Sequence, residues 1–355
     1  MKQRLTPRLR SAFTIVEVLI AVAVLGLTVA GLYAMVRCAN ILFAKSYAIN
    51  ATGTEVHNAL DRIQNYLQQS YTPPAPIDSN GAVVSATISA ANAYSTGLVP
   101  VTTGATATTG TLVGPASGIK FYRYVGGPYL MTPTNTNTIP GNVASLNFEY
   151  DPTLPAEVLP PKPQPGDFLV INTTALLGVS GTYQVWATVG TGAITAAVSS
   201  TNKMTYTVPL VSPLRVGPDA TSGTASIQYV YDNTAKKAIT WSTILLRPTA
   251  FLFYTGTSTT SGTTAELRLY DPFTLNGSNV NVSGTHSTLT RELYTSTTTP
   301  SQFCIVPFGN STFVSMILRM RCSDYDQFLT NKQSSGFSTY MGVNYIVHLK
   351  SNPQH

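Results

Sequence analysis

The sequence predicts an α+β protein, one long N-terminal helix followed by an antiparallel, β-rich region. Three observations carry that prediction. Residues Phe13 to Val36 form an apolar run broken by one acidic residue, Glu17, and an apolar spacing of three and four residues continues to about Gln69. After Tyr71 the pattern turns to short alternating or apolar runs separated by Gly, Pro, Asn and Ser-Thr turns. Charged residues make up only 10% of the 355, apolar ones 43%, and 19 Tyr outnumber 13 Phe, a balance that suits strands and turns in an exported chain.

The helix begins with a membrane-length segment. At 1.5 Å per residue the run Phe13 to Val36 spans about 36 Å, enough to cross a bilayer with some tilt. A cleaved secretory signal has a shorter apolar core, of about 7 to 15 residues, so this segment reads as a retained anchor. Lipidation at Cys38 is excluded by Arg37 directly before it. The basic residues Lys2, Arg4, Arg8 and Arg10 precede the run and only Arg37 follows closely, which places the N-terminus in the cytoplasm and the remainder outside. Within such a run Glu17 costs about 2.5 to 3.5 kcal/mol to insert, so it is functional by default and calls for a partner. Gly26 and Gly31 either loosen the helix or ease close helix packing.

Residues 37–70 read as an amphipathic continuation. Ile49, Thr52, Gly53, Val56, Ala59, Leu60, Ile63, Tyr66 and Leu67 fall on one side, with Glu55, Asp61, Arg62 and Gln64 on others. Pro73 and Pro74 stop the helix. From Phe13 to Gln69 that is one helix of roughly 85 Å, its second half packed on the β region.

In residues 71–355 the alternation predicts strands at 83–88, 119–124, 144–150, 168–172, 184–189, 204–208, 226–231, 239–246, 250–254, 267–270, 313–319 and 345–349. Six prolines between Pro152 and Pro165 mark an extended surface connector, and a module of residues 166–213 reads as an insertion after it. Thr- and Ser-rich runs at 102–111, 255–264 and 287–299 read as exposed loops.

Chemistry is sparse. The formal charge of +6 is concentrated at the start: without the first twelve residues, 17 basic residues face 15 acidic ones, a net of +2. No basic face or basic-aromatic patch suited to a phosphate backbone remains, so nucleic acid is not an expected partner. Cys304 and Cys322 flank the strand-like run 305–320 in an oxidising compartment. Two readings stand there, a disulfide closing a loop of about 19 residues or two buried free thiols. Asp324 and Asp326 share one short turn, a weak calcium candidate set against a plain solvated turn, since calcium wants six to eight oxygens. His57, His286, His348 and His355 are scattered, and no phosphate loop, zinc pair or hydrolase motif occurs. No cofactor and no catalysis are expected.

The segment Ser11-Ala12-Phe13-Thr14-Ile15-Val16-Glu17-Val18-Leu19-Ile20-Ala21 resembles the type IV prepilin signal. The resemblance implies that residues 1–12 are a leader removed by a prepilin peptidase between Ala12 and Phe13. Phe13 then becomes an N-methylated terminus and Glu17 the fifth mature residue. Ala12 stands where that family usually has Gly. The implied partners are the peptidase, the inner-membrane assembly platform, the membrane itself and other pilin or pseudopilin subunits. Glu17 would find its partner in trans, in the terminal amine of a neighbouring subunit, where low dielectric strengthens the attraction. The order of elements, with a Gly166-Asp167-Phe168-Leu169-Val170-Ile171 insertion, is similar to large minor pilins and J-type pseudopilins. The expected function is assembly into a type IV pilus or type II secretion-like filament, with the pilin-like β region periplasmic or displayed outside. An adhesin carried on such a filament and a tethered periplasmic protein that never assembles are the alternatives.

Overall fold

The structure is a computed structural model that describes residues 14–84, 113–134, 141–150, 153, 161–176, 179–198, 203–216, 241–258, 262–290, 293, 302–308, 311–321 and 340–350. The chain divides into two compact units, Met1–Thr54 with Arg321–Met341 and Glu55–Met320 with Gly342–His355. A single helix, α1 (Ile15–Gln68), contributes to both. An antiparallel β-rich region follows it, as the α+β reading expects.

In the first unit, α1 leaves its apolar side chains uncovered: Ile15 is 81% exposed, Leu27 77% and Met35 72%. It is the one helix among the described residues long and apolar enough to cross a membrane. In the second unit the same helix becomes amphipathic. Val56, Ala59, Leu60, Ile63 and Leu67 are buried, the three-and-four spacing that puts one stripe against a sheet. Each of the larger side chains contributes about 1.5 to 3 kcal/mol on burial. The helix ends ahead of Pro73, where Ser70 N–H donates to Leu67 O at 2.9 Å and tightens the last turn.

The strands run in chain order: β1 (Ala75–Ile77), β2 (Val113–Ala116), β3 (Gly118–Pro133), β4 (Gly141–Tyr150), β5 (Phe168–Leu176), β6 (Val179–Thr188), β7 (Thr195–Val198), β8 (Met204–Val216), β9 (Trp241–Ser258), β10 (Gly262–Tyr270), β11 (Leu275–Asn276), β12 (Asn279–Val280), β13 (Ser287–Thr290), β14 (Gln302–Phe308), β15 (Ser311–Arg321) and β16 (Tyr340–Lys350). The larger sheet follows the path β13-β10-β9-β3-β4-β8-β7, with β1 added to β3, β5 added to β9 and β6 added to β5. A second sheet runs β16-β15-β14-β2, and β11 and β12 form a small hairpin.

Two long strands, β3 and β9, pair along most of their length and carry two separate cores. At one end Ile119, Phe121, Phe251 and Phe253 join the α1 stripe and the inner face of the second sheet, where Phe253 stacks on Phe303 at 4.7 Å. At the other end the strands close a circuit. Strand β3 pairs with β4, β4 with β8, β5 with β6 and β5 with β9. The gap between β6 and β8 is closed by a bridge from Val189 to Leu210 and by Gly190 N–H donating to Pro209 O at 2.8 Å. All six strands send side chains inward, among them Met131, Leu146, Val208, Ile171, Trp241 and Leu245. The result is a small filled barrel.

The stretch 166–213 thus supplies β5 to β8 to the large sheet. Of the Pro-rich connector, Pro161, Pro163 and Pro165 are described, and Tyr129 Oη donates to Pro161 O at 3.2 Å. Positions 85–88 and 226–231, expected as strand, lie outside the described residues. So do 102–111, expected as a loop. Two other loop expectations give way to strand. Residues 255–258 and 262–264 extend β9 and β10, and 287–290 form β13. There cross-strand partners supply hydrogen bonds that Thr and Ser accept readily once paired.

Strand β9 is continuous where a break is expected at Arg247-Pro248-Thr249. On one edge it pairs with β5 from Ser242 to Leu246 and with β10 from Ala250 onward. Pro248 sits in the interval between those partners, where a missing donor costs no ladder bond. Its carbonyl accepts from Phe273 N–H at 2.9 Å.

That interval holds the main buried charges. Arg123 and Arg247 stand directly opposite each other on β3 and β9. Asp167, just before β5, accepts from Arg247 Nε at 2.8 Å and Nη2 at 2.9 Å and is fully buried. Asp271, just after β10, accepts from Arg123 Nη2 at 2.7 Å and from Thr249 Oγ1 at 3.0 Å. Arg123 also donates to Gln69 Oε1 at 3.0 Å and lies 4.4 Å from the centre of the Tyr66 ring. The last turn of α1 is thereby tied to the seam between the cores.

Candidate functional site: the N-terminal helix start

The start of α1 is a capping box. Thr14 occupies the N-cap and Glu17 the third helical position, the Ser/Thr-x-x-Glu spacing. Thr14 N–H donates to Glu17 Oε2 at 3.0 Å, Thr14 Oγ1 donates to the same oxygen at 3.2 Å, and Glu17 N–H donates to Thr14 Oγ1 at 3.4 Å. Two helix-end donors, which have no intrahelical partner, are satisfied in this way. The carboxylate also sits at the positive end of the helix dipole, where negative charge is favoured.

Around Glu17 the surface is apolar. Glu17, Ile20, Ala21, Val24, Leu25 and Thr28 line one shallow groove along a single face of the helix. The hydroxyl of Thr28 is turned back to Val24 O at 2.7 Å, which satisfies it within the helix. A charge framed by such a face is stable next to water, and in a bilayer or helix bundle it needs a cation. A Cβ built at Gly26 or Gly31 meets nothing within 4 Å.

The other sequence candidates are placed as follows. Ala12 and Phe13 lie outside the described residues. Cys304 is in β14 opposite Ser315, and Cys322 lies outside the described residues. Residues 305–320, expected as one strand-like run, hold most of two antiparallel strands, β14 and β15. Asp324 and Asp326 also lie outside the described residues. Cys38 is exposed and unpaired on α1. His57 is exposed on α1, and His286 is exposed with Nδ1 at 2.9 Å from Gly284 O. Among the described residues no three His, Cys, Asp or Glu side chains converge as a metal site would require. The capping role of Thr14 was missed although Thr-x-x-Glu before an apolar run is its sequence signature.

With that geometry in place, the comparison with protein families decides the character of the segment. The model of the prokaryotic N-terminal methylation motif matches residues 7–33. The chain is type IV prepilin-like. The match takes in Arg8 and Arg10, the Ala12-Phe13 pair, Glu17 and most of the membrane-length run. No curated protein and no solved structure matches the chain. Coarsely, the prepilin-like motif implies processing by a prepilin peptidase and assembly with other pilins. With the exposed apolar half of α1, it fits a single-pass anchor in the inner membrane.

Proposed function

We propose that this prepilin-like chain is a minor pilin or pseudopilin, a structural subunit of a type IV pilus or type II secretion-like filament. The observation that carries this reading is the methylation-motif match over residues 7–33, with Glu17 set in an uncovered apolar helix face. The leader is cut between Ala12 and Phe13, and Phe13 is N-methylated. The basic leader keeps the start of the chain in the cytoplasm and sends the β-rich region to the periplasmic side. During assembly the apolar half of α1 leaves the bilayer for the filament core. Glu17 is then neutralised by the Phe13 amine of a neighbouring subunit, and the carboxylate exchanges its capping contact for an intersubunit one. The small residues Gly26 and Gly31 leave room for a neighbouring helix to approach.

Mass spectrometry of the mature N-terminus tests the processing step: methylated Phe13 supports it, and a chain retaining Met1 or starting beyond Val36 refutes it. Glu17→Ala tests the assembly step. The variant is expected to be processed and to reach the membrane but to be depleted from sheared filaments, and wild-type incorporation would refute the pairing.

A further inference from the structure

The outer wall of the barrel carries an aromatic patch that filament assembly does not use. Strand residues alternate between the inside and outside of a barrel. On β6, Ala187 points inward and Trp186 outward. Trp186 stands opposite Val170 of β5, which is 0% exposed, while Trp186 itself remains 39% exposed. The indole lies over an apolar floor and still presents much of its surface to solvent.

Its orientation is held from several sides. Tyr122 meets it at 5.4 Å and 71°, Phe168 at 5.9 Å and 64°, and Tyr71 at 6.4 Å and 60°. Gln184, exposed on the same face two residues before Trp186, donates Nε2–H to Tyr71 Oη at 2.9 Å. An exposed ring plane is thus rimmed by an amide and a phenol. The strand positions 168–172, 184–188 and 242–246 around it contain no ionisable side chain.

That neutrality separates the possible occupants. A nucleic-acid strand needs cations beside the stacking rings to meet its phosphates. A protein hot spot of the usual kind buries its aromatic anchor within a wide contact area, whereas the exposed rings on this face are few, Trp186 and, two residues along β3 from Tyr122, Tyr124, each 39% exposed. A sugar ring presents an apolar C–H face to an aromatic plane and a girdle of hydroxyls to neutral donors and acceptors, which suits an amide and a phenol.

We propose that Trp186, Tyr71 and Gln184 form a glycan-binding site that takes an uncharged polysaccharide chain, one pyranose ring stacked on Trp186. The site is independent of Glu17 and the helix start.

The chain contains two tryptophans, Trp186 outside the barrel and Trp241 inside it at 6% exposure, so fluorescence reads the site and the fold separately. The full-length protein, in a detergent without a sugar headgroup, is titrated with cellohexaose and with chitohexaose. At least one is expected to change Trp186 emission saturably and to shield it from acrylamide. Trp186→Ala is expected to weaken binding, read by calorimetry, about tenfold or more, with Trp241 emission unchanged. Gln184→Ala, an exposed substitution that leaves the barrel intact, is expected to weaken it several-fold. Absence of saturable binding of both oligosaccharides overturns the proposal. So does unchanged affinity in both variants, or a thymidine oligonucleotide binding this patch more tightly than either sugar.

Discussion

Replacing Asp167 by Asn tests the buried charge seam on which the two cores meet. The Asp167 side chain has no exposure and receives three hydrogen bonds, from Arg247 Nε at 2.8 Å, Arg247 Nη2 at 2.9 Å and Gln164 N–H at 2.8 Å. Asparagine keeps the shape but removes the charge, leaving Arg247, only 11% exposed, opposite Arg123 on the paired strand. Stranding one member of a buried ion pair costs about 3 to 5 kcal/mol. For a domain of this size, about 2 to 4 °C per kcal/mol converts that into a fall in melting temperature of roughly 10 °C. Circular dichroism melts of the full chain in detergent measure it. The double variant Asp167→Asn, Arg247→Met removes the stranded cation and its like-charged confrontation with Arg123, and is expected to recover most of the loss. A single variant within about 1 kcal/mol of wild type, or a double variant no more stable than the single, would refute the reasoning.

Three further outcomes are expected. Ile63→Ala in the buried stripe of α1 should cost about 2 to 5 kcal/mol in the same melts, while Ile49→Ala, at a position 38% exposed, should change little. Burial raises the Tyr122 and Tyr270 hydroxyls above their ordinary pKa of 10.0, and burial together with the Asp271 carboxylate raises Tyr66. A pKa raised in the folded state means that stability is complete below pH 10 and declines above it as the unfolded chain ionises first, so melting temperature should drop from about pH 10 upward. Parallel tyrosinate absorbance should show these rings titrating late, and a flat alkaline profile would contradict this. Finally, Ala12→Gly is expected to speed leader cleavage in a pulse-chase assay, and an unchanged rate would show that the peptidase does not discriminate between these two small residues.

Local pattern made half of this molecule legible. The start, membrane length and end of α1 follow from contiguous residues, namely the apolar run from Phe13, the three-and-four stripe from Val56 to Leu67 and the stop at Pro73. The prepilin-like segment is equally local, and so is the Thr14–Glu17 capping box, whose partners are three residues apart. Many strands were also readable, since alternation reports which side chains share a face.

Alternation does not report which strand lies alongside, and there the tertiary structure decided. Nothing near Phe168 in the chain says that it pairs with Leu246, or that residues 166–213 help close a barrel against β9 and β4. Arg247 meets Asp167 across 80 positions, and Gln184 meets Tyr71 across 113. The sequence by itself determined the anchor, the helix and its motif because their energetics are set within a few turns. The barrel, the charge seam and the aromatic patch rest on contacts between segments far apart in the chain, which form only when burial of both cores repays the entropy of bringing those segments together.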